Sequence, residues 1–268
     1  MAMPKTIADS LLEELNSYST AEDRPDPFTT ARLKRKSAEL AKVDPIGGLL
    51  CEAILLTLEG DYRKVVSNFR EILVYRPEDS DMYENFGNSL GRLDHLSEAH
   101  DQYIKALEFC SDSTSILVAL AKNSLVTFRT EDFIQAYEVH GEKADQTALA
   151  NSDVCKEVIG LHLTFEKFKV DSRQAAKLYD LAEEVCQSFR KPPPSGNLRH
   201  TAPYSGATLT FYGDIKGSFS EVADMNFALC DLAIEREAGH ILREFSYVFV
   251  CTDNTPATEM DFEYAHHQ

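Results

Sequence analysis

The sequence predicts a mainly α-helical chain: a superhelix of helical hairpins followed by a small carboxy-terminal α+β lobe of β-α-β order. Three observations carry this expectation. Apolar residues recur at helical spacing from residue 5 to about residue 190, with turn signals between the runs. Within that stretch a pattern of residue types returns at one fixed step, from Ile46 to Ser80 and again to Thr114. At Lys191–Asn197, KPPPSGN, the helical pattern stops, and β-branched and aromatic runs follow it. The expected organisation is a helical domain over 1–190, a proline-rich linker over 191–206 and a lobe over 207–268.

Residues 5–44 hold two amino-terminal helices. Ile7, Leu11, Leu12 and Leu15 give the first its apolar stripe, with Thr6 as cap and Asp9 in the first turn. The run EDRPDP at 22–27 breaks it. Phe28, Ala31, Leu33, Ala38 and Leu40 carry the second helix, whose run Arg32–Lys36 is the one basic cluster in the chain. That cluster is either a solvated helix face or a contact for an acidic partner.

The first repeat spans 46–79, with Leu49, Ala53 and Leu56 in one helix, a turn at Gly60-Asp61-Tyr62, and Val65, Phe69 and Ile72 in the next. Pro77 closes it. The second, 80–113, is the sharpest copy. Tyr83, Phe86, Gly87 and Leu90 stand at the spacing W-x-x-L-G-x-x-Y, and Ala99, Tyr103 and Ala106 at A-x3-F-x2-A. Small Gly87 and Ala99 let two helices approach while Tyr83, Leu90 and Tyr103 fill the space beside them. The third, 114–147, keeps Leu117, Leu120, Ala121 and Tyr137 but has Phe133 at the small-residue position. An irregular hairpin over 148–190 runs through Leu149, Val154, Val158, Leu161, Leu163, Phe165 and Phe168, caps at Asp171-Ser172, and recovers the spacing at Ala175, Tyr179 and Ala182. It needs about eight residues more than the regular step, expected in a lengthened first helix, or it is a capping helix pair, since terminal repeats of a solenoid are usually atypical.

This ordered pattern resembles a tetratricopeptide repeat, a helical hairpin of about 34 residues that buries its apolar face only by stacking on neighbours. The resemblance is specific over 46–113 and loose to 190. It implies a concave surface made by the first helices of successive hairpins, where ligands of such proteins lie. On this alignment that surface offers Asp81, Glu84, Asn88 and Arg92 in the second repeat, and Leu50, Ile54 and Thr57 in the first. The variant that grips a peptide's terminal carboxylate uses Lys, Asn, Asn, Lys and Arg, in that order, at positions that here hold Leu50, Ile54, Asn85, Ser115 and Ala119. Only Asn85 matches. Leu50 and Ile54 point instead to an apolar contact with an extended peptide or with the protein's own terminal segments.

After the prolines, Ala207–Tyr212 reads as a strand, about 220–237 as a helix with Gly239 closing it, and Phe245–Cys251 as a second strand. Thr255-Pro256 turns the chain into an acidic tail with room for a short third strand at 261–264. So small a lobe leaves strand edges unpaired, so it is expected either to dock on the helices or to pair with another chain, for instance as a homodimer.

Composition narrows the function classes. With 44 acidic against 27 basic residues, a net charge of -17 argues against a nucleic-acid surface and suits a basic protein partner, or simply solubility. No run reaches the 18 apolar residues of a membrane span, and the amino terminus lacks a secretory signal. The six cysteines are widely spaced with no C-x-x-C pair, the usage of a reducing compartment, so the cytoplasm is the expected location. No phosphate loop, dinucleotide fingerprint, H-E-x-x-H or G-x-S-x-G occurs, and no cofactor or metal is expected. His95/His100 is spaced poorly for zinc, His266/His267 ends the tail, and Asp214, Glu221 and Asp253 read as solvated loop carboxylates. His240 suits a helix end as a cation.

The expectation is a non-enzymatic adaptor or chaperone-like protein that displays a concave, partly apolar, net acidic groove to a protein or peptide. Two alternatives stay open. The lobe is a catalytic or ligand-sensing module, using Tyr212, Asp214 or His240, that the repeats position; or residues 191–268 occupy the groove until a partner displaces them.

Overall fold

The computed structural model describes residues 7–18, 24–200 and 209–252. The protein is mainly helical, with a small mixed sheet of three strands near the carboxy terminus. Compactness divides the chain into two units, Met1–Lys167 with Asp171–Ala176, and Phe168–Val170 with Lys177–Gln268.

The first unit begins with α1 (Ile7–Asn16) and α2 (Pro27–Leu40), the latter capped by Asp26, whose carboxylate accepts from the amides of Phe28 and Thr29. Three hairpins follow: α3 (Pro45–Glu59) with α4 (Tyr62–Tyr75), α5 (Ser80–Arg92) with α6 (Leu96–Phe109), and α7 (Thr114–Thr127) with α8 (Thr130–His140). The first helices are preceded by Asp44, Asp79 and Ser113, the second helices by Asp61, His95 and Arg129. Asp26 precedes Asp61 by nearly the same interval that separates Asp61 from His95, so α1 and α2 continue the spacing toward the amino terminus.

The tight turns explain the spacing. Gly60, Asp94 and Phe128 occupy equivalent positions in successive hairpins, and all three have left-handed backbone, with φ of 81°, 64° and 62°. Only the first is a glycine, the residue to which that conformation costs nothing. Phe128 is held there from outside: its carbonyl accepts a hydrogen bond from the Ser172 hydroxyl at 2.8 Å.

One continuous core joins the hairpins, from Leu50, Ala53 and Phe69 through Phe86, Leu90 and Tyr103 to Leu117, Phe133 and Val158. Phe69 and Phe86 stack at 4.8 Å between successive hairpins. Within the second hairpin, a Cβ on Gly87 would lie 2.6 Å from the Tyr103 ring, so only glycine admits this approach. A second cluster, Leu11, Leu15, Leu33, Leu40, Cys51, Leu55 and Leu58, ties α1 and α2 to α3. Three of the four cations in the basic run of α2 are engaged here. Arg32 and Lys36 both hold Glu14 of α1, and Lys34 reaches Glu59 of α3 at 2.6 Å.

The helix expected through residues 144–168 is two. α9 (Gln146–Asn151) and α10 (Asp153–Phe168) break at Ser152, whose hydroxyl accepts from the Cys155 amide at 3.4 Å as a new cap. The extra residues of the irregular hairpin therefore form a separate short helix rather than lengthening one. Asp171 caps α11 (Ser172–Ser188), accepting from the Arg173 amide at 2.8 Å.

In the second unit, β1 (Gly196–His200), β2 (Leu209–Ile215) and β3 (Phe245–Cys251) lie in the order β1-β2-β3. β1 is antiparallel to β2 and β3 parallel to it, with α12 (Phe219–Glu235) as the crossover. The β-α-β order is as expected, but β1 falls inside the stretch expected to be a linker. Its GNLRH sequence carries no strand signal; pairing with β2 makes it one. The predicted third strand at 261–264, His266/His267, Asp253 and the Thr6 cap lie outside the described residues. At the outer edge, the Asn226 side chain of α12 donates to the Phe249 carbonyl and accepts from the Phe249 amide, both at 2.9 Å. That position of β3 is thereby closed to further pairing.

Candidate functional site

Because the first helices recur at a fixed step, side chains at one helical phase form rows across them. Ile54, Asn88 and Lys122 are one such row on α3, α5 and α7; Leu58, Arg92 and Val126 are another at the same step. Both rows line a groove of about 720 Å³. Asn85, Ala119 and Asn123 line it too, as do Leu15, Asn16 and Tyr18 at the end next to α1.

The polar groups here are held in place. The Tyr103 hydroxyl donates to Oδ1 of the exposed Asn88 at 2.9 Å, which fixes the amide and turns its Nδ2 donors into the available ones. Burial raises the Tyr103 pKa, so this hydroxyl stays a donor. Asn123 is buried and donates to the Leu96 carbonyl at 2.8 Å; Asn85 donates to the Asp81 carbonyl at 2.7 Å. Arg92 donates to the backbone carbonyl of Tyr18. Among the described residues, Arg92 and Lys122 are the charged members of the lining, which includes no described Asp or Glu.

The six residues singled out by sequence divide among three places. Asn88, Arg92 and Ile54 meet in the groove. Leu50 is 6% exposed and belongs to the main core. Asp81 and Glu84, in the first turns of α5, line a separate cavity of about 660 Å³ with Glu78, Asp79, Asp112 and Arg76. There Ser115 donates to Glu84 at 3.2 Å, and burial pushes the Glu84 pKa up. The acidic character expected of the groove is thus concentrated in its neighbour. Ile54 also packs against the cluster containing Leu11 and Leu15, one of the two kinds of apolar contact left open for it by the sequence.

Sequence reasoning passed over Lys122 and Asn123, although they stand one full step after Asn88 and Ser89. The step that found the helices also finds these residues. It passed over Tyr18 because no periodicity marks a backbone carbonyl as a partner for arginine.

Other candidates are engaged locally. His95 stacks on Tyr62 with ring centroids 3.8 Å apart and approaches Glu98 at 3.1 Å, while buried His100 approaches Asp132 at 3.3 Å. Among the described residues no group of three or more His, Cys, Asp or Glu is placed to hold a metal ion. Tyr212 lies beneath the Arg199 guanidinium, Asp214 is exposed, and His240 sits 3.1 Å from the Glu237 carbonyl at the end of α12. No helix among the described residues is long and apolar enough to cross a membrane.

Comparison of the chain with protein-family models, with curated proteins and with solved structures returned no match.

Proposed function

We propose that the chain is a non-enzymatic adaptor that holds an extended peptide segment of a protein partner in the groove across α3, α5 and α7. The observation that carries this reading is the repeated row Ile54-Asn88-Lys122, which sets an apolar, an amide and a cationic group at regular intervals along one groove. An extended peptide presents its own carbonyls at regular intervals, and the Nδ2 donors of Asn88 suit such a backbone. With α1 occupying the α3 end, the open part of the groove is bordered by Lys122, whose ammonium favours a segment carrying a carboxylate. The net charge favours a basic partner, but local charge decides what a groove accepts.

The test is affinity purification with the full chain and with Asn88→Ala/Lys122→Ala. Both residues are exposed, so far-UV circular dichroism is expected to stay unchanged. Loss of a partner that the wild type retains supports the groove. Equal retention by the variant sinks it.

A further inference from the structure

Helix α12 carries a second surface, unrelated to the groove. Phe219, Ala223, Phe227, Cys230 and Ile234 are all exposed and are spaced four, four, three and four residues apart. At helical periodicity they fall within an arc of about 80°. Phe219 is 76%, Phe227 69% and Ile234 71% exposed. A second side of the helix, about 120° round from the stripe, is buried through Val222, Met225, Leu229 and Ala233, so α12 is apolar on two faces, only one of which is covered by described residues. Single exposed apolar residues are ordinary; a line of them along successive turns marks an interaction surface.

The borders of the stripe say what covers it. Along one edge run the exposed carboxylates Asp224, Asp231 and Glu235; along the other lies Asn226, engaged with β3. We propose that this stripe docks an amphipathic helix of a partner protein whose apolar side is bordered by lysines or arginines. Charge complementarity with the acidic edge selects that chemistry. A second copy fits less well. A two-fold axis that pairs two α12 helices antiparallel keeps the same edge of both on one side, so Asp224, Asp231 and Glu235 would face their own counterparts. A parallel pair instead sets like ends of two helix dipoles together. The net charge of -17 opposes either.

Cys230 provides the readout, because it lies within the stripe and is exposed, whereas Cys251 is partly covered and the other four cysteines are buried. The full chain is alkylated alone, with a designed helical peptide that has a leucine face bordered by lysines, and with the same peptide bordered by glutamates. The lysine-bordered peptide is expected to slow alkylation of Cys230 by at least about ten-fold, and the glutamate-bordered one to leave it unchanged. Phe227→Ser/Ile234→Ser abolishes the protection, and Asp224→Asn/Asp231→Asn weakens it. The asparagine pair removes no packing, so the charge argument stays testable even where the serine pair lowers helicity. Equal protection by both peptides, protection by neither, or protection that rises with protein concentration in the absence of peptide overturns the proposal, the last in favour of a second copy.

Discussion

Tyr103 reaches across the α5–α6 hairpin to place its hydroxyl 2.9 Å from Oδ1 of Asn88 while its ring covers Gly87. One side chain therefore closes the core of a hairpin and orients a groove residue. Tyr103→Phe keeps the ring and removes the donor. The expected cost is about 1 kcal/mol in urea denaturation, the usual net worth of one hydrogen bond, together with weaker partner retention. Unchanged retention would show that Asn88 needs no positioning.

Gly87→Ala tests the same contact from the opposite side. With the new Cβ 2.6 Å from the Tyr103 ring, the helices must separate or the ring must leave its rotamer. Overpacking of this kind costs about 1–3 kcal/mol. A thermal midpoint equal to that of the wild type would mean that the hairpin yields freely.

The turns make a prediction of opposite sign. Asp94 is exposed and has left-handed backbone at φ 64°, where the equivalent Gly60 has φ 81°. Asp94→Gly is expected to raise stability by up to about 1 kcal/mol, since relief of αL strain outweighs the added freedom of the unfolded chain. A lower midpoint in the variant refutes this.

Glu14 predicts a pH dependence. The hydrogen bond from Arg32, aided by Lys36, lowers its pKa to about 2 against the opposing effect of burial. A depressed carboxylate pKa gives stabilisation that is complete above the unfolded value of 4.5 and is lost as the pH falls toward about 2. Glu14→Gln should cost about 1 kcal/mol at neutral pH, with the difference from wild type closing across that acid window. A difference independent of pH would assign the loss to packing instead.

The hairpins were legible because their cause is local. A small residue opposite an aromatic, as at Gly87 and Tyr103, signals close helix packing wherever it occurs, and the fixed step places the copies. β1 was not legible, because its residues owe their strand conformation to β2 rather than to propensity. The groove was half legible. Phase on the helix identified Asn88, Arg92 and Ile54, but the same reasoning offered Leu50, which the core takes, and Glu84, which lines the neighbouring cavity instead.

The clamp between Asn226 and Phe249 does more than close a strand edge. A helix lying on a sheet can roll about its own axis, exchanging exposed for buried side chains until its greasiest side faces inward. Two hydrogen bonds from one side chain to one backbone residue fix the azimuth of α12, and rolling to hide Phe227 and Ile234 would break both. The exposure of that stripe is thus enforced by the fold, and the energy of covering it is left for whatever arrives from outside.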